Sequence, residues 1–182
     1  MAKAFLFSLF VPLAMSGLGC GSKYTQRDPS GERFPSVVGT SLQGTEYRIP
    51  EAFAGEPVLL LVGYEQDSQF DLDRWLLGLT QVGIQVRAYE LPTIPGLAPR
   101  VFRGTIDKGM RSGIPSEDWG AVLTVYGDGD KIARFTGNEN KLPGRVILLD
   151  AEGRVIFFHD RGYSVGTLQR LRDALEQERN ES

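Results

Sequence analysis

Val58, Leu59, Leu60, Leu61 and Val62 form an unbroken apolar run directly after Pro57. A strand with one solvated face alternates apolar and polar residues, whereas a run apolar at every position suits a strand covered on both faces. Such a strand demands layers on either side of its sheet, and the segments that follow can supply them. Leu72, Trp75, Leu76, Leu79 and Val82 recur at helical spacing, so residues 68–82 are expected to form a helix packed by that stripe. Asp67 or Ser68 can cap it and Gly83 can end it. Residues 84–89 and 121–126 read as further strands. Residues 145–149 and 154–158 flank Asp150-Ala151-Glu152-Gly153, which reads as a hairpin turn.

The remaining segments complete an alternation. Residues 42–49 alternate around Gly44 as a small hairpin. Phe102, Ile106 and Met110 mark a second helix after a proline-rich connector over residues 91–99. Residues 128–135 suit a short helix, and Ser164 can cap a last one carrying Val165, Leu168, Leu171 and Leu175, followed by a polar tail over residues 177–182. The expected order is hairpin, strand, helix, strand, helix, strand, short helix, strand, strand, helix. It implies an α/β fold with a central mixed sheet, parallel at its core and antiparallel where the late hairpin joins.

Cys20 is the single cysteine among 182 residues. Before it stand Lys3, an apolar stretch from Phe5 to Met15, and Ser16-Gly17-Leu18-Gly19. The apolar stretch falls short of the roughly 20 residues that span a bilayer, and its layout is that of a cleaved leader. An ordinary cleaved leader would leave Cys20 incidental. The segment resembles a bacterial lipoprotein signal, which implies cleavage before Cys20, acylation of its thiol and of the new amino group (palmitate among the chains), and stable anchoring by two or three chains. The expected organisation is a signal over residues 1–19, a flexible tether over residues 20–33, and one domain over residues 34–182. The place expected is the cell envelope, on the periplasmic face of the outer membrane.

Phe34-Pro35 with Leu42-Gln43-Gly44, and Gly55-Glu56-Pro57 leading into Val58–Val62, resemble the opening of peroxiredoxin-like and cytochrome-maturation thioredoxins. Residues 145–158 resemble their closing hairpin. Residues 138–171 are also similar to the thioredoxin-like assembly factors of mitochondrial ATP synthase. These resemblances imply a thioredoxin-like fold with an N-terminal hairpin and a C-terminal β-hairpin plus helix. In redox members a Cys-x-x-Cys opens the first helix, where the helix end stabilises a thiolate. Here that stretch is Tyr64-Glu65-Gln66-Asp67-Ser68-Gln69-Phe70-Asp71, with Ser68 and Asp71 near the two cysteine positions. Asp67, Ser68 and Asp71 serve either as helix caps or as part of a binding site.

Pro143 lies near the place of the family's cis-proline and reads as that residue or as an ordinary loop proline. Ile94 and Leu97 belong to the loop after a strand end, where open α/β folds bind ligands; they read as a partner-binding loop or a packed connector. The acids of residues 128–139 are spaced like a calcium loop, yet Ile132 and Ala133 occupy positions that need a ligand and a glycine. His159 has no nucleophile motif to serve. No cofactor and no metal are expected. No basic run exceeds two residues and the net charge is −3, which leaves no nucleic-acid footprint. The expected role is a non-redox binding or assembly factor for an envelope protein. The alternative is a thiol oxidoreductase or peroxidase-like enzyme.

Overall fold

The computed structural model describes residues 23–96 and 98–181. Cys20, the stretch before it and Leu97 lie outside the described residues. The elements run β1 (Val37–Ser41), β2 (Glu46–Ile49), β3 (Val58–Gly63), α1 (Gln69–Gln81), β4 (Arg87–Pro92), α2 (Ala98–Gly113), β5 (Leu123–Thr124), α3 (Gly129–Thr136), β6 (Arg145–Leu149), β7 (Val155–His159) and α4 (Val165–Glu181). That is the order expected from the sequence.

β3 is central. It pairs in parallel with β4 and antiparallel with β6, and β7 completes the order β4-β3-β6-β7. Its side chains alternate between two cores. Val58, Leu60 and Val62 pack with Leu123, Ile132, Ile147 and Leu149 on one face. Leu59 and Leu61 pack with Leu72, Trp75, Val146, Leu148 and Leu168, beneath α1 and α4, on the other. This two-faced burial is why the run carries no polar residue. α1 ends as its glycine dictates: Gly83 has φ +70°, and Ile84 N–H donates to Leu79 O at 3.0 Å while Gly83 N–H donates to Thr80 O at 3.2 Å. These two bonds satisfy carbonyls that the helix leaves open.

The expected single sheet is divided. β2, β1 and β5 form a second ladder, joined to β4 by parallel bridges at Glu90–Val122 and Thr93–Val125. β5 is shorter than expected: it pairs with β1 only at Leu123 and Thr124, while Val122 and Val125 on either side bridge to Glu90 and Thr93. β4 lies later than expected, at Arg87–Pro92 rather than 84–89, so Ile84 and Val86 belong to the approach. α4 runs to Glu181 and takes up most of the expected polar tail.

The expected tether over residues 20–33 is corrected from Tyr24 onward, where the chain lies along the domain as a strap. Tyr24 N–H donates to Asn138 Oδ1 at 2.7 Å, and its carbonyl accepts from Asn138 N–H at 2.9 Å and Glu139 N–H at 3.1 Å. Further on, Gly31 N–H donates to Val155 O at 2.8 Å, and Val155 N–H donates to Glu32 O at 2.9 Å. The physical reason is backbone satisfaction. The outer side of β7 offers donors and acceptors that must find partners, and the strap supplies them.

Candidate functional site

The carboxyl end of β3 leads through Tyr64 and Glu65 into a short 3-10 turn (Gln66–Ser68) and then α1. Ser68 is fully buried. Its hydroxyl accepts from Glu65 N–H at 3.2 Å and donates to Glu65 O at 2.7 Å, with Lys141 O at 3.2 Å. Ser68 makes no side-chain cap bond to α1. It forms a reciprocal capping box with Glu65 around the preceding turn, so the expected capping is displaced by one short turn. Asp67 is exposed.

Asp71 is buried and does not cap either. Its Oδ2 accepts from Gly144 N–H at 3.0 Å and its Oδ1 from Tyr163 N–H at 2.7 Å. One carboxylate thus fastens the loop before β6 and the loop before α4 to the first turn of α1. Pro143 sits inside this clasp, half-buried and with a trans peptide bond, since among the described residues the cis bond is Ile49–Pro50. Ser68, Asp71 and Pro143 are therefore brought together. Ile94 stands on the same edge of the sheet, because Thr93 N–H donates to Gly63 O at 2.8 Å, but its own N–H donates to Val125 O at 3.0 Å and it leans toward α3. Leu97 lies outside the described residues.

Several residues at this end escaped the sequence reading. Arg145 is fully buried and donates to the carbonyls of Pro143 (2.6 Å), Asn140 (2.6 Å) and Gly137 (3.0 Å), and to Gln26 Oε1 of the strap (2.9 Å). Its guanidinium lies 5.0 Å from the centre of the Tyr64 ring, and burial pulls its pKa down. Tyr64 Oη is 2.7 Å from Thr136 Oγ1, and burial pushes its hydroxyl well up. The one available signal was a charged residue opening an apolar strand. Glu90, half-buried on β4, accepts from Gln69 Nε2 at 2.9 Å; burial raises its pKa. His159 closes β7 with Nε2 at 2.8 Å from Gly162 O.

At this end the polar side chains are turned to the chain's own backbone, although the buried Arg145 Nε has no hydrogen-bond partner. The Ser68 hydroxyl and both Asp71 oxygens are occupied by the chain's own backbone, and neither residue is placed to attack a substrate. Phe70 (67% exposed) and Leu142 (55% exposed) stand outward between the tie points. Phe70 lies between Ser68 and Asp71, and Leu142 lies between Lys141 and Gly144, to which those two residues bond. Among the described residues no three His, Cys, Asp or Glu side chains are grouped to hold a metal ion.

No protein-family model matches the chain, and no curated protein matches it. Solved structures do. BsSco, a member of the Sco family of cytochrome c oxidase assembly proteins, aligns with TM-score 0.59 at 12% identity over 86% of this chain and 98% of that one. A SCO1/SenC family lipoprotein from Bacillus anthracis gives 0.56 at 11% identity over 85% and 99%. A thiol peroxidase from Chromobacterium violaceum gives 0.54 at 14% identity over 89% and 94%. These are thioredoxin-like folds, and the chain has that fold. Identity this low carries the architecture and nothing finer.

Proposed function

We propose that the chain is a lipid-anchored protein of the cell envelope that holds another envelope protein, as a binding or assembly factor, without thiol chemistry. The observation that carries this reading is the saturation of Ser68 and Asp71 by the chain's own backbone, two residues that, by the resemblance to redox thioredoxins, stand near their cysteine positions. Thiol–disulfide exchange needs an attacking thiolate, and the domain contains no cysteine beyond Cys20. An assembly role agrees with the description of one structural neighbour as a member of a family of cytochrome c oxidase assembly proteins. Anchoring through Cys20 agrees with the lipoprotein among the neighbours. The periplasmic face of the outer membrane is the place this reading favours.

The surface offered to the partner is the end of the sheet around Phe70, Leu142 and Pro143, with Ile94 beside it; Leu97, expected from the sequence to share it, lies outside the described residues. Insulin reduction by the purified protein is expected to match buffer alone; turnover of insulin or of a peroxide would overturn the reading. Phe70→Asp with Leu142→Asp is expected to abolish crosslinked capture of the partner in intact cells and leave thermal unfolding nearly unchanged. Val165→Asp, at an exposed apolar residue on α4, is expected to leave capture intact.

A further inference from the structure

The register of the closing hairpin pairs Val146 with His159, so its next step sets Arg145 opposite Asp160. Opposite charges that face each other across antiparallel strands stabilise a sheet by pairing directly. Here Gln26 of the strap stands between them. Its Oε1 accepts from Arg145 Nη2 at 2.9 Å, and its Nε2 donates to Asp160 Oδ2 at 2.7 Å. This bridge leaves the guanidinium poorly matched. Nη2 carries two protons and faces three acceptors, Gln26 Oε1 and the carbonyls of Gly137 (3.0 Å) and Asn140 (2.6 Å). The buried Nε–H donates to nothing. Asp160 is hardly better served: its side chain is 17% exposed, and it lies 3.9 Å from Arg161, whose side chain is 90% exposed, a contact worth little. Burial lowers the Arg145 pKa, and Tyr64 and Asp160 act against that through space. A cleft of about 370 Å³ lies beside Gln26 and Asp160, which gives the strap room to move without displacing β7.

We propose that Arg145 is a two-position switch set by the strap. With the strap down, the Gln26 amide keeps Arg145 from Asp160, and the guanidinium grips the carbonyls of Gly137, Asn140 and Pro143. With the strap lifted, Arg145 closes on Asp160, its cross-strand neighbour, and lets go of Gly137 and Asn140. The two arrangements are discrete, because Nη2 has too few protons to serve a carboxylate and both carbonyls together. A carboxylate accepts more strongly from a guanidinium than an amide oxygen does. The backbone bonds of Tyr24 to Asn138 and Glu139 hold the strap down against that pull. The loop released by the switch runs from Gly137 to Gly144 and carries Leu142 and Pro143. The inference therefore deepens the reading of that end as a partner-holding face, and its regulatory part rests on that reading: the docked strap presents the face in one fixed form, and the lifted strap loosens it. Coupling of this kind is reciprocal, so a partner that fixes the loop also seats the strap.

The test follows amide exchange of the full chain by NMR, with the Arg145 Nε–Hε signal in the same spectra. Gln26→Met keeps a side chain of similar length and removes the bridging amide. It is expected to shift the Arg145 signal and to speed exchange at Gly144, whose N–H is held by Asp71. The acceleration should be roughly tenfold or more, the effect of losing charged hydrogen bonds in the loop. Leu60 of β3, paired on both sides, should be unaffected, since it opens only with the whole sheet. Adding Asp160→Asn removes the carboxylate that draws Arg145 away and should return Gly144 toward the parent rate. A merely structural Gln26 gives the reverse, a second lesion added to the first. Gly144 unchanged by Gln26→Met, accelerated no more than Leu60, or not slowed by Asp160→Asn would overturn the switch. Crosslinked capture in intact cells reads the face separately: it should fall with Gln26→Met and recover with Asp160→Asn. Capture indifferent to both, beside exchange that behaves as stated, would sink the regulation and leave the switch standing. No capture even by the parent chain would overturn the partner face and its regulation together, while exchange still decides the switch.

Discussion

Asp71 holds two loops with one carboxylate, and each bond joins a charge to a buried or half-buried N–H. Hydrogen bonds to charged groups contribute about 1.5–3 kcal/mol each. Asp71→Ala is therefore expected to cost roughly 3 kcal/mol in urea unfolding, and Asp71→Asn nearly as much, because its amide NH₂ would face one of the two donors. A loss under ~1 kcal/mol would show the loops closed by other contacts. Glu90 makes a pH prediction of definite sign. Burial raises its pKa in the folded protein, so the native state binds the proton more tightly than the unfolded chain does. The stability this proton contributes is complete below the unfolded carboxyl's range and is lost as pH rises through the native one. Glu90→Gln keeps an acceptor for Gln69 and never ionises, so its Tm relative to the parent should climb from pH 4 to pH 8. A difference that is flat or falls would refute the assignment. Neither role was readable from the chain. Asp71 has the spacing of a helix cap, and its partners lie 73 and 92 residues away, where a local pattern has no reach.

β3 was the most legible element, because burial on two faces excludes polar residues from every position. Leu60→Ala should cost about 2–5 kcal/mol by lost burial and the cavity left behind, measured by urea unfolding. A loss below ~1 kcal/mol would contradict its central place. β4 was displaced for an equally physical reason. Ile84, Val86 and Ala88 alternate like a strand and Pro92 looks like a breaker, yet a strand's last residue can lack an N–H, and Pro92 still accepts from Val125 N–H at 2.9 Å through its carbonyl. The strap was illegible because polar composition reads as tether, while its docking depends on backbone bonds and on one glycine. Gly137 has φ +74°, and a Cβ there would lie 2.4 Å from Gln26 Cα and 2.5 Å from Thr25 O. Gly137→Ala should lift the strap, speeding amide exchange at Asn138 and Glu139 and opening Lys23 and Arg27 to trypsin. Unchanged exchange would show that the strap does not need that close approach.

Across the whole molecule, the strap turns an open sheet margin into a covered one. Exposed strand edges template association with other chains, and the β7 margin near Val155 is paired by Gly31 and Glu32. A version beginning at Phe34 is expected to self-associate with rising concentration in light scattering, where the longer chain stays monomeric. A truncated chain that remains monomeric and equally stable would assign the strap no such role. The order of elements and the two-layered core were legible because hydrophobic periodicity encodes them directly. The interior network of Arg145, Tyr64 and Gln26 was not, since a charge stabilised in the interior by carbonyls leaves no periodic trace. The strap also defines a load path. Between Tyr24 and Arg27 it runs antiparallel to residues 136–138, so tension along its axis from the N-terminal side meets those bonds in shear, several at once, before it reaches β1. A pull from the N-terminal side would thus be borne first by the loop that Arg145 and Asp71 brace, and the sheet behind it would be the last part to yield.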